Sequence, residues 1–311
     1  MKIAISGNPI QSGLRKMSNR ALAPSTPAQD PAPPRHAVDC PGLRWEKGRL
    51  SAVRERLVAE EPLAVEIAYE RQGQAVRRVL SVTMRTPGED AELALGFLYC
   101  EAIIDRAEDV LAGELLGENA RGEKIPTWRA RLALPPGAQA VERVSRGIIT
   151  SAACGLCGRT SLKGLRLAAS GTTRSPAASG DDVAALPGKL RRMQRCYSET
   201  GGCHGAGLFD EAGAPLIVRE DVGRHNAVDK VIGAALQGGV RCAGRTLVIS
   251  GRAGFELVQK AAAAGIALMV AVGAPSSLAV RLAGDAGMTL VGFARDGRFN
   301  VYSHSGRQIR G

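Results

Sequence analysis

Two cysteines two residues apart stand in the run Thr150-Ser151-Ala152-Ala153-Cys154-Gly155-Leu156-Cys157-Gly158-Arg159. Such a pair supplies half of a zinc site, cycles between dithiol and disulfide, or carries sulfur as a persulfide. All three chemistries work through thiolate rather than thiol. Gly155 and Gly158 lack Cβ, so the loop can take left-handed turns and present either sulfur. The residues that follow predict a helix from Gly158 to Ala169. Its first N–H groups would favour thiolate at Cys157, and Arg159 adds a positive charge beside it. Buried structural cysteines are the bland alternative, and the pair alone does not choose.

The histidines are weighed the same way. His36, His204, His225 and His304 are each read first as ordinary hydrogen-bonding residues. Cys203-His204 together with Cys154 and Cys157 would make a Cys3His set, which keeps zinc in play.

Composition narrows the setting. The chain has 311 residues, 45% hydrophobic, with 38 glycines and only 4% aromatics, which suits an Ala/Val/Leu-packed α/β protein of about two domains. Of the formal net charge of +11, residues 1–45 carry +4 (Lys2, Arg15, Lys16, Arg20, Arg35 and Arg44 against Asp30 and Asp39), and +7 remains for the body. That favours an anionic ligand. Basic residues are scattered and stacking rings few, so a phosphate-rich small molecule fits at least as well as nucleic acid. Seven cysteines in a long chain without a secretory segment argue for a reducing cytoplasm and against a disulfide framework. No apolar run reaches the ~18–20 residues of a membrane span.

The elements that must position the cysteines follow from the pattern. Residues 1–45, with Pro24, Pro27, Pro31, Pro33, Pro34 and Pro41 among Ala, Ser and Gln, are read as a disordered arm. A loose bacterial-type extension, or a start at Met17, describes it better than a transit peptide. Residues 46–146 are read as a smaller α+β domain. It has a hairpin of Leu63 to Tyr69 and Ala75 to Met84 around Gln72-Gly73, a helix opened by Pro87-Gly88-Glu89-Asp90 and running through Ile103, and a strand from Thr127 to Leu134. Cys100 is assigned to its core.

Residues 147–308 change grammar. Helix Pro187 to Tyr197 precedes strands His204 to Phe209 and Pro215 to Arg219, helix Arg224 to Leu236 and strand Thr246 to Ser250. Then come helix Phe255 to Ala264, strand Ala267 to Val272, helix Ser276 to Ala286, strand Thr289 to Phe293 and a last strand Arg298 to Tyr302. This order predicts an α/β/α layered sheet, at least partly parallel, with ligands at the carboxyl ends of its strands. Polar, Gly-containing turns gather there: Glu220-Asp221-Val222-Gly223-Arg224-His225-Asn226, Ser250-Gly251-Arg252-Ala253-Gly254-Phe255-Glu256, and Gly273-Ala274-Pro275-Ser276-Ser277. Each could hold phosphate on its N–H groups, or be an ordinary capped helix start with Asp221 or Ser276 as cap.

Cys154-Gly155-Leu156-Cys157-Gly158, the string Glu220-Asp221-Val222-Gly223-Arg224-His225-Asn226-Ala227-Val228-Asp229-Lys230, Phe255-Glu256-Leu257-Val258-Gln259-Lys260-Ala261 and the ending Leu290-Val291-Gly292-Phe293 to Tyr302 occur in one order. Together they resemble the FdhD family of formate dehydrogenase accessory sulfurtransferases over roughly residues 55 to 308. The resemblance implies a cytidine-deaminase-like α/β/α domain with the smaller α+β part, in a cytoplasmic homodimer. It implies a sulfur carrier that accepts persulfide sulfur from a cysteine desulfurase. That sulfur goes to the molybdenum (or tungsten) bis(guanine dinucleotide) cofactor, the cargo passed on to the formate dehydrogenase apoenzyme. Carried over, Cys154 is the persulfide position and Cys157 its companion. Phe293-Ala294-Arg295-Asp296-Gly297-Arg298 matches the family's cofactor-binding stretch, and Arg252, Arg224 and His225 are further candidates for the same pocket. No permanent metal is expected. The chain departs from the family pattern at Cys196, where an aromatic residue is expected, and at Cys203, a cysteine beside a motif histidine.

Two rivals come from other classes. A zinc deaminase would need H-x-E and P-C-x-x-C. No histidine here is followed two residues later by Glu, and Ala153 stands in place of the proline. A cofactor-binding chaperone with a structural zinc or a non-catalytic CxxC, and no sulfur transfer, is the remaining alternative.

Overall fold

Two larger β-sheets, of four and six strands, dominate the described residues, and a pair of packed helices runs between them. The computed structural model describes residues 36–145, 177–304 and 308–311. The CxxC loop, the helix expected from Gly158 and residues 1–35 lie outside the described residues.

In chain order the first elements are β1 (Ala37–Glu46), β2 (Arg49–Val58), β3 (Glu61–Arg71), β4 (Gln74–Arg85), α1 (Asp90–Cys100), β5 (Val110–Leu116), β6 (Thr127–Leu132) and α2 (Ala138–Ser145). Strands β1 and β2 pair only with each other, antiparallel from Ala37↔Val58 to Glu46↔Arg49. A second sheet has the order β4-β3-β6-β5. Its two-residue hairpin turn, Gln72-Gly73, has φ of 53° and 75°, the left-handed pair that matches strand twist.

The chain resumes with β7 (Ala178–Ser179), α3 (Gly180–Met193), α4 (Arg195–Thr200), β8 (His204–Phe209), β9 (Pro215–Asp221) and α5 (Arg224–Gln237). Then follow β10 (Thr246–Ile249), α6 (Phe255–Ala263), β11 (Leu268–Ala271), α7 (Ser277–Asp285), β12 (Thr289–Arg295), β13 (Arg298–His304) and β14 (Ile309–Arg310). The short β7 and β14 pair in parallel. The six-stranded sheet runs β13-β12-β11-β10-β8-β9. Strands β10, β11 and β12 are parallel, and β8, β9 and β13 join through antiparallel pairs.

Period-2 alternation sends the two sets of side chains of this sheet to opposite helical layers. Leu208, Leu247, Ile249, Met269, Ala271 and Leu290 pack with α5, α6 and α7, while Phe209, Val248, Leu268, Val270 and Val291 pack with α3. The fold is therefore mixed α/β with helices on both faces of one sheet.

Helix α1 covers the smaller sheet with Leu93, Ala94, Leu95 and Leu98, and its other side lies on α5. A methyl group at Gly96 would overlap the Asp229 carbonyl, and one at Gly233 would overlap that of Glu92. The two helices thus touch backbone to backbone, which only glycine permits. Arg219 clamps the crossing by donating to both Glu92 carboxylate oxygens, one at 2.7 Å. Beside it the buried Lys260 ammonium lies 2.7 and 2.8 Å from the two Asp229 oxygens. Cys100 is buried, as the sequence suggests, but it packs in the cluster of the larger sheet rather than that of the smaller one, and burial pushes its thiol well above the ordinary cysteine range.

Four expectations change. Residues 37–45, read as the end of the arm, are β1. Helix α1 stops at Cys100 rather than Ile103, because Ala102 turns left-handed (φ 57°) and Ile103 donates back to Leu98. Helix α3 starts at Gly180, not Pro187. Ser179 caps it by accepting from Asp181 N at 3.2 Å, with Asp181 and Asp182 in its first turn and Arg191 and Arg192 in its last. The helix breaks at Gln194, so Tyr197 belongs to α4. Strand β5 and helix α2 have no counterpart in the sequence reading.

Candidate functional site

Strand direction collects the polar turns on one edge. The carboxyl ends of β9, β10, β11 and β12 and the first residue of β8 all lie there, since β8 runs antiparallel between β9 and β10. The turns are stitched to one another: Gly273 N donates to Gly251 O (2.9 Å), Ser276 N to Ala253 O (3.0 Å) and Phe293 N to Gly273 O (3.1 Å). Close approach requires the glycines. A Cβ at Gly273 would lie 3.0 Å from the Arg252 backbone, and one at Gly292 would lie 2.7 Å from Pro275 Cδ.

Asp221 organises the first turn from inside. Fully buried, its carboxylate accepts from Gly223 N (2.8 Å), Asn226 Nδ2 (3.0 Å) and Thr86 N (3.1 Å), and pairs with the equally buried Lys230 Nζ at 3.0 Å. It is the last residue of β9 rather than the helix cap. The caps of α5 and α6 are Gly223 and Gly254, neither of which closes its helix with a side chain. Ser276 does cap α7, accepting from Ala279 N at 3.2 Å. A cap side chain thus closes the start of α7 but not those of α5 and α6.

Arg224 adds positive charge at the same place, with two histidines beside it. His225 Nε2 lies 2.8 Å from Glu256 Oε2, which joins the starts of α5 and α6. His204 opens β8 opposite Asp221 and packs on Gly251, where an added Cβ would come within 3.3 Å of Nδ1. Burial, then the charges of Arg224 and His225, push the His204 pKa below the usual histidine value against the pull of Asp221. His204, Arg224 and His225 therefore form one cluster. Arg252 is exposed on the next turn.

The hairpin of β12 and β13 extends beyond this edge. Its turn, Asp296-Gly297, has φ of 54° and 72°, and Arg295 faces Arg298 across it. Both arginines are exposed. Phe293 takes φ 53° at a register break, a conformation costly for a bulky residue, and the residue is 39% exposed. Ala294 points the other way, buried in the core shared with α3. The structure thus brings Arg224, His225, Arg252, Phe293, Arg295, Asp296, Gly297 and Arg298 to one edge. Cys154 and Cys157 lie outside the described residues.

The sequence reading missed three parts of this site. His204 was not placed at this edge, although Gly201-Gly202-Cys203-His204-Gly205 marks a close approach. Asp221 and Lys230 act as a buried pair, which the motif string contains without revealing. Cys196 and Cys203 are joined in a disulfide, although the composition argues against a disulfide framework, and this takes Cys203 out of the Cys3His set. Among the described residues no group of three or more His, Cys, Asp or Glu is arranged to hold a metal.

The sequence model of the FdhD/NarQ family matches residues 58–309. The chain belongs to that family. It is 47% identical over 262 residues to the sulfur carrier protein FdhD of Nocardia farcinica, covering 81% of this chain and 88% of the relative. It is 44% identical to that of Mycobacterium tuberculosis over 262 residues, 81% and 91% of the two chains. A crystal structure from Desulfotalea psychrophila, described as that of a formate dehydrogenase accessory protein, superposes with a TM-score of 0.63. It is 25% identical and covers 86% of this chain and 96% of its own. The resemblance read from the motifs is thereby established. No described helix is long and apolar enough to cross a membrane.

Proposed function

We propose that this protein is a sulfurtransferase that sulfurates the molybdenum bis(guanine dinucleotide) cofactor for formate dehydrogenase. The observation that carries the reading is its 47% identity to a named sulfur carrier, with the Cys154-Gly155-Leu156-Cys157-Gly158 loop intact in the sequence. In the first step the Cys154 thiolate attacks the terminal sulfur of a cysteine desulfurase persulfide. The donor S–S bond breaks, the donor cysteine leaves as thiolate, and Cys154 becomes the persulfide. As the resolving thiol, Cys157 attacks the Cys154 sulfur, the persulfide S–S bond breaks, and the outer sulfur leaves at the sulfide level for the cofactor. A Cys154–Cys157 disulfide remains for an external thiol to reduce. As relay, Cys157 takes the outer sulfur by the same thiolate exchange as in the first step.

The cofactor's two pyrophosphates suit the basic edge. Arg295 and Arg298 pair with phosphate oxygens, and Arg252, Arg224 and His225 extend the same cationic surface. Phe293, Ala294, Asp296 and Gly297 set the shape of the hairpin that carries the two arginines. On this reading the protein is a cytoplasmic homodimer with a cytidine-deaminase-like larger domain, and it hands its cargo to the formate dehydrogenase apoenzyme.

Replacing Cys154 separates this reading from a cofactor-binding chaperone. Cys154→Ala retains cofactor affinity and leaves the apoenzyme inactive if sulfur transfer is the function. Full activation by Cys154→Ala would establish the chaperone instead.

A further inference from the structure

We propose that Cys196 and Cys203 are a reversible thiol–disulfide site, taking low-molecular-weight thiols and disulfides as reactants, that locks the β1–β2 hairpin to the edge carrying His204. It does not rest on the sulfur-transfer reading. Among the described cysteines, Cys40, Cys100 and Cys242 are free, and only Cys196 and Cys203 are bonded to each other. Both are buried, 5% and 4% exposed, so a small thiol reaches the bond as the Gly201-Gly202 turn opens locally.

The pair is seven residues apart, with Cα atoms 6.2 Å apart, inside the about 4.4–6.8 Å that a bridge spans without moving the backbone. The segment between them ends in Gly201-Gly202. Gly201 holds φ 68°, and glycine passes between left- and right-handed backbone at little cost, so the turn can change when the bond opens.

Helix α4 is a mount with two sides. On one side it carries the hairpin base: Glu199 takes His36 Nε2 at 3.1 Å and Arg56 Nη1 at 2.9 Å. Gly202 fits so closely under Val58 that a Cβ would come within 2.7 Å of it. On the other side Glu220, immediately before Asp221, accepts from Cys196 N and Tyr197 N, each at 2.8 Å. The disulfide closes this arrangement onto Cys203, whose neighbour His204 faces Gly251. A two-stranded ribbon is marginal by itself, so the position of β1 and β2 depends on this mount.

Two thiols reduce the bond: Cys196–S–S–Cys203 and two RSH give two cysteine thiols and RSSR, two electrons passing from the small thiol to the protein. The reverse reaction, with a small disulfide as oxidant, re-forms the lock. Reduction frees Cys203 from α4 and loosens the Gly201-Gly202 turn, the hairpin base and the entry to β8 together.

The test equilibrates the full chain with mixtures of reduced and oxidised glutathione, blocks thiols with N-ethylmaleimide and maps them by peptide mass. Cys196 and Cys203 should pass together from cross-linked to doubly labelled. Amides of residues 37–58 and 195–205 should then exchange hydrogen at least about tenfold faster, in line with local opening. Cys196→Ser/Cys203→Ser should show the fast pattern at every ratio. Independent labelling of the two cysteines, a cross-link that persists in native protein under excess dithiothreitol, or identical exchange in both states would overturn the proposal. The wild-type titration decides the matter even if the double variant fails to fold.

Discussion

Lys230→Met is the sharpest probe of how the site is held. Lys230 has no exposed side-chain surface, and neither has Asp221. Its ammonium lies 3.0 Å from Asp221 Oδ2 and donates to the carbonyls of Thr86 (3.1 Å) and Glu220 (3.3 Å), with Glu89 at 3.3 Å on the outer side. Methionine approximates the volume and deletes the charge, leaving the Asp221 carboxylate buried among neutral donors. Removing one partner of a buried ion pair costs about 3–5 kcal/mol. For a chain of 311 residues that corresponds to a fall of roughly 5–8 °C in Tm. Urea unfolding of Lys230→Met, Asp221→Asn and the double variant supplies the cycle. The double variant should be more stable than the two separate losses predict, by at least about 1 kcal/mol. A loss below about 1 kcal/mol in Lys230→Met, or losses that add without coupling, would refute the claim that this pair holds the β9–α5 turn.

Other consequences follow from the same edge. Arg295→Ala and Arg298→Ala should each weaken binding of guanosine diphosphate, used as a probe, by about tenfold or more, as charge-assisted hydrogen bonds of about 1.5–3 kcal/mol require. Calorimetry checks this, and unchanged affinity in both would remove the hairpin from the anion site. His204 should titrate below the ordinary value of 6.5 in an NMR pH series, because burial and its cationic neighbours disfavour the imidazolium. The linkage has a definite sign. Folding favours the neutral ring, so this stabilisation is complete above pH 6.5 and is lost as pH falls through the depressed folded value. His204→Gln should therefore flatten the acid limb of the stability profile, and an unchanged limb would contradict the assignment.

Much of the larger sheet is legible in the chain. Strand β8 has the bounds read from its apolar run between glycines, and α5, α6 and α7 follow from helical periodicity within a residue or so of their observed ends. Other features escape for physical reasons. Pro187 reads as a helix start because proline favours the first turn. The real start is marked by Ser179 and two aspartates, whose signal lies before the proline. Strand β1 contains Pro41-Gly42 and follows a proline-rich run, so composition suggests an arm. The discernible signal was Lys47-Gly48, whose φ values of 49° and 84° make the hairpin turn. Strand β5 carries Gly113 against the Trp128 ring, a fit that a single sequence does not announce. The motif string locates the site, but the Asp221–Lys230 pair and the approach of His204 depend on strand order. Cysteine pairing is likewise undetermined by spacing, and Cys196–Cys203 required the fold.

The most direct test of sulfur transfer is the intact mass of the protein after incubation with a cysteine desulfurase and cysteine, with and without reductant. Wild type should gain one sulfur, ~32 Da, lost on reduction and absent in Cys154→Ala. Cys157→Ala, run beside it, reports whether the second thiol shares the load. No gain in wild type, or a gain that persists in Cys154→Ala, would contradict the assignment of Cys154 as the carrier.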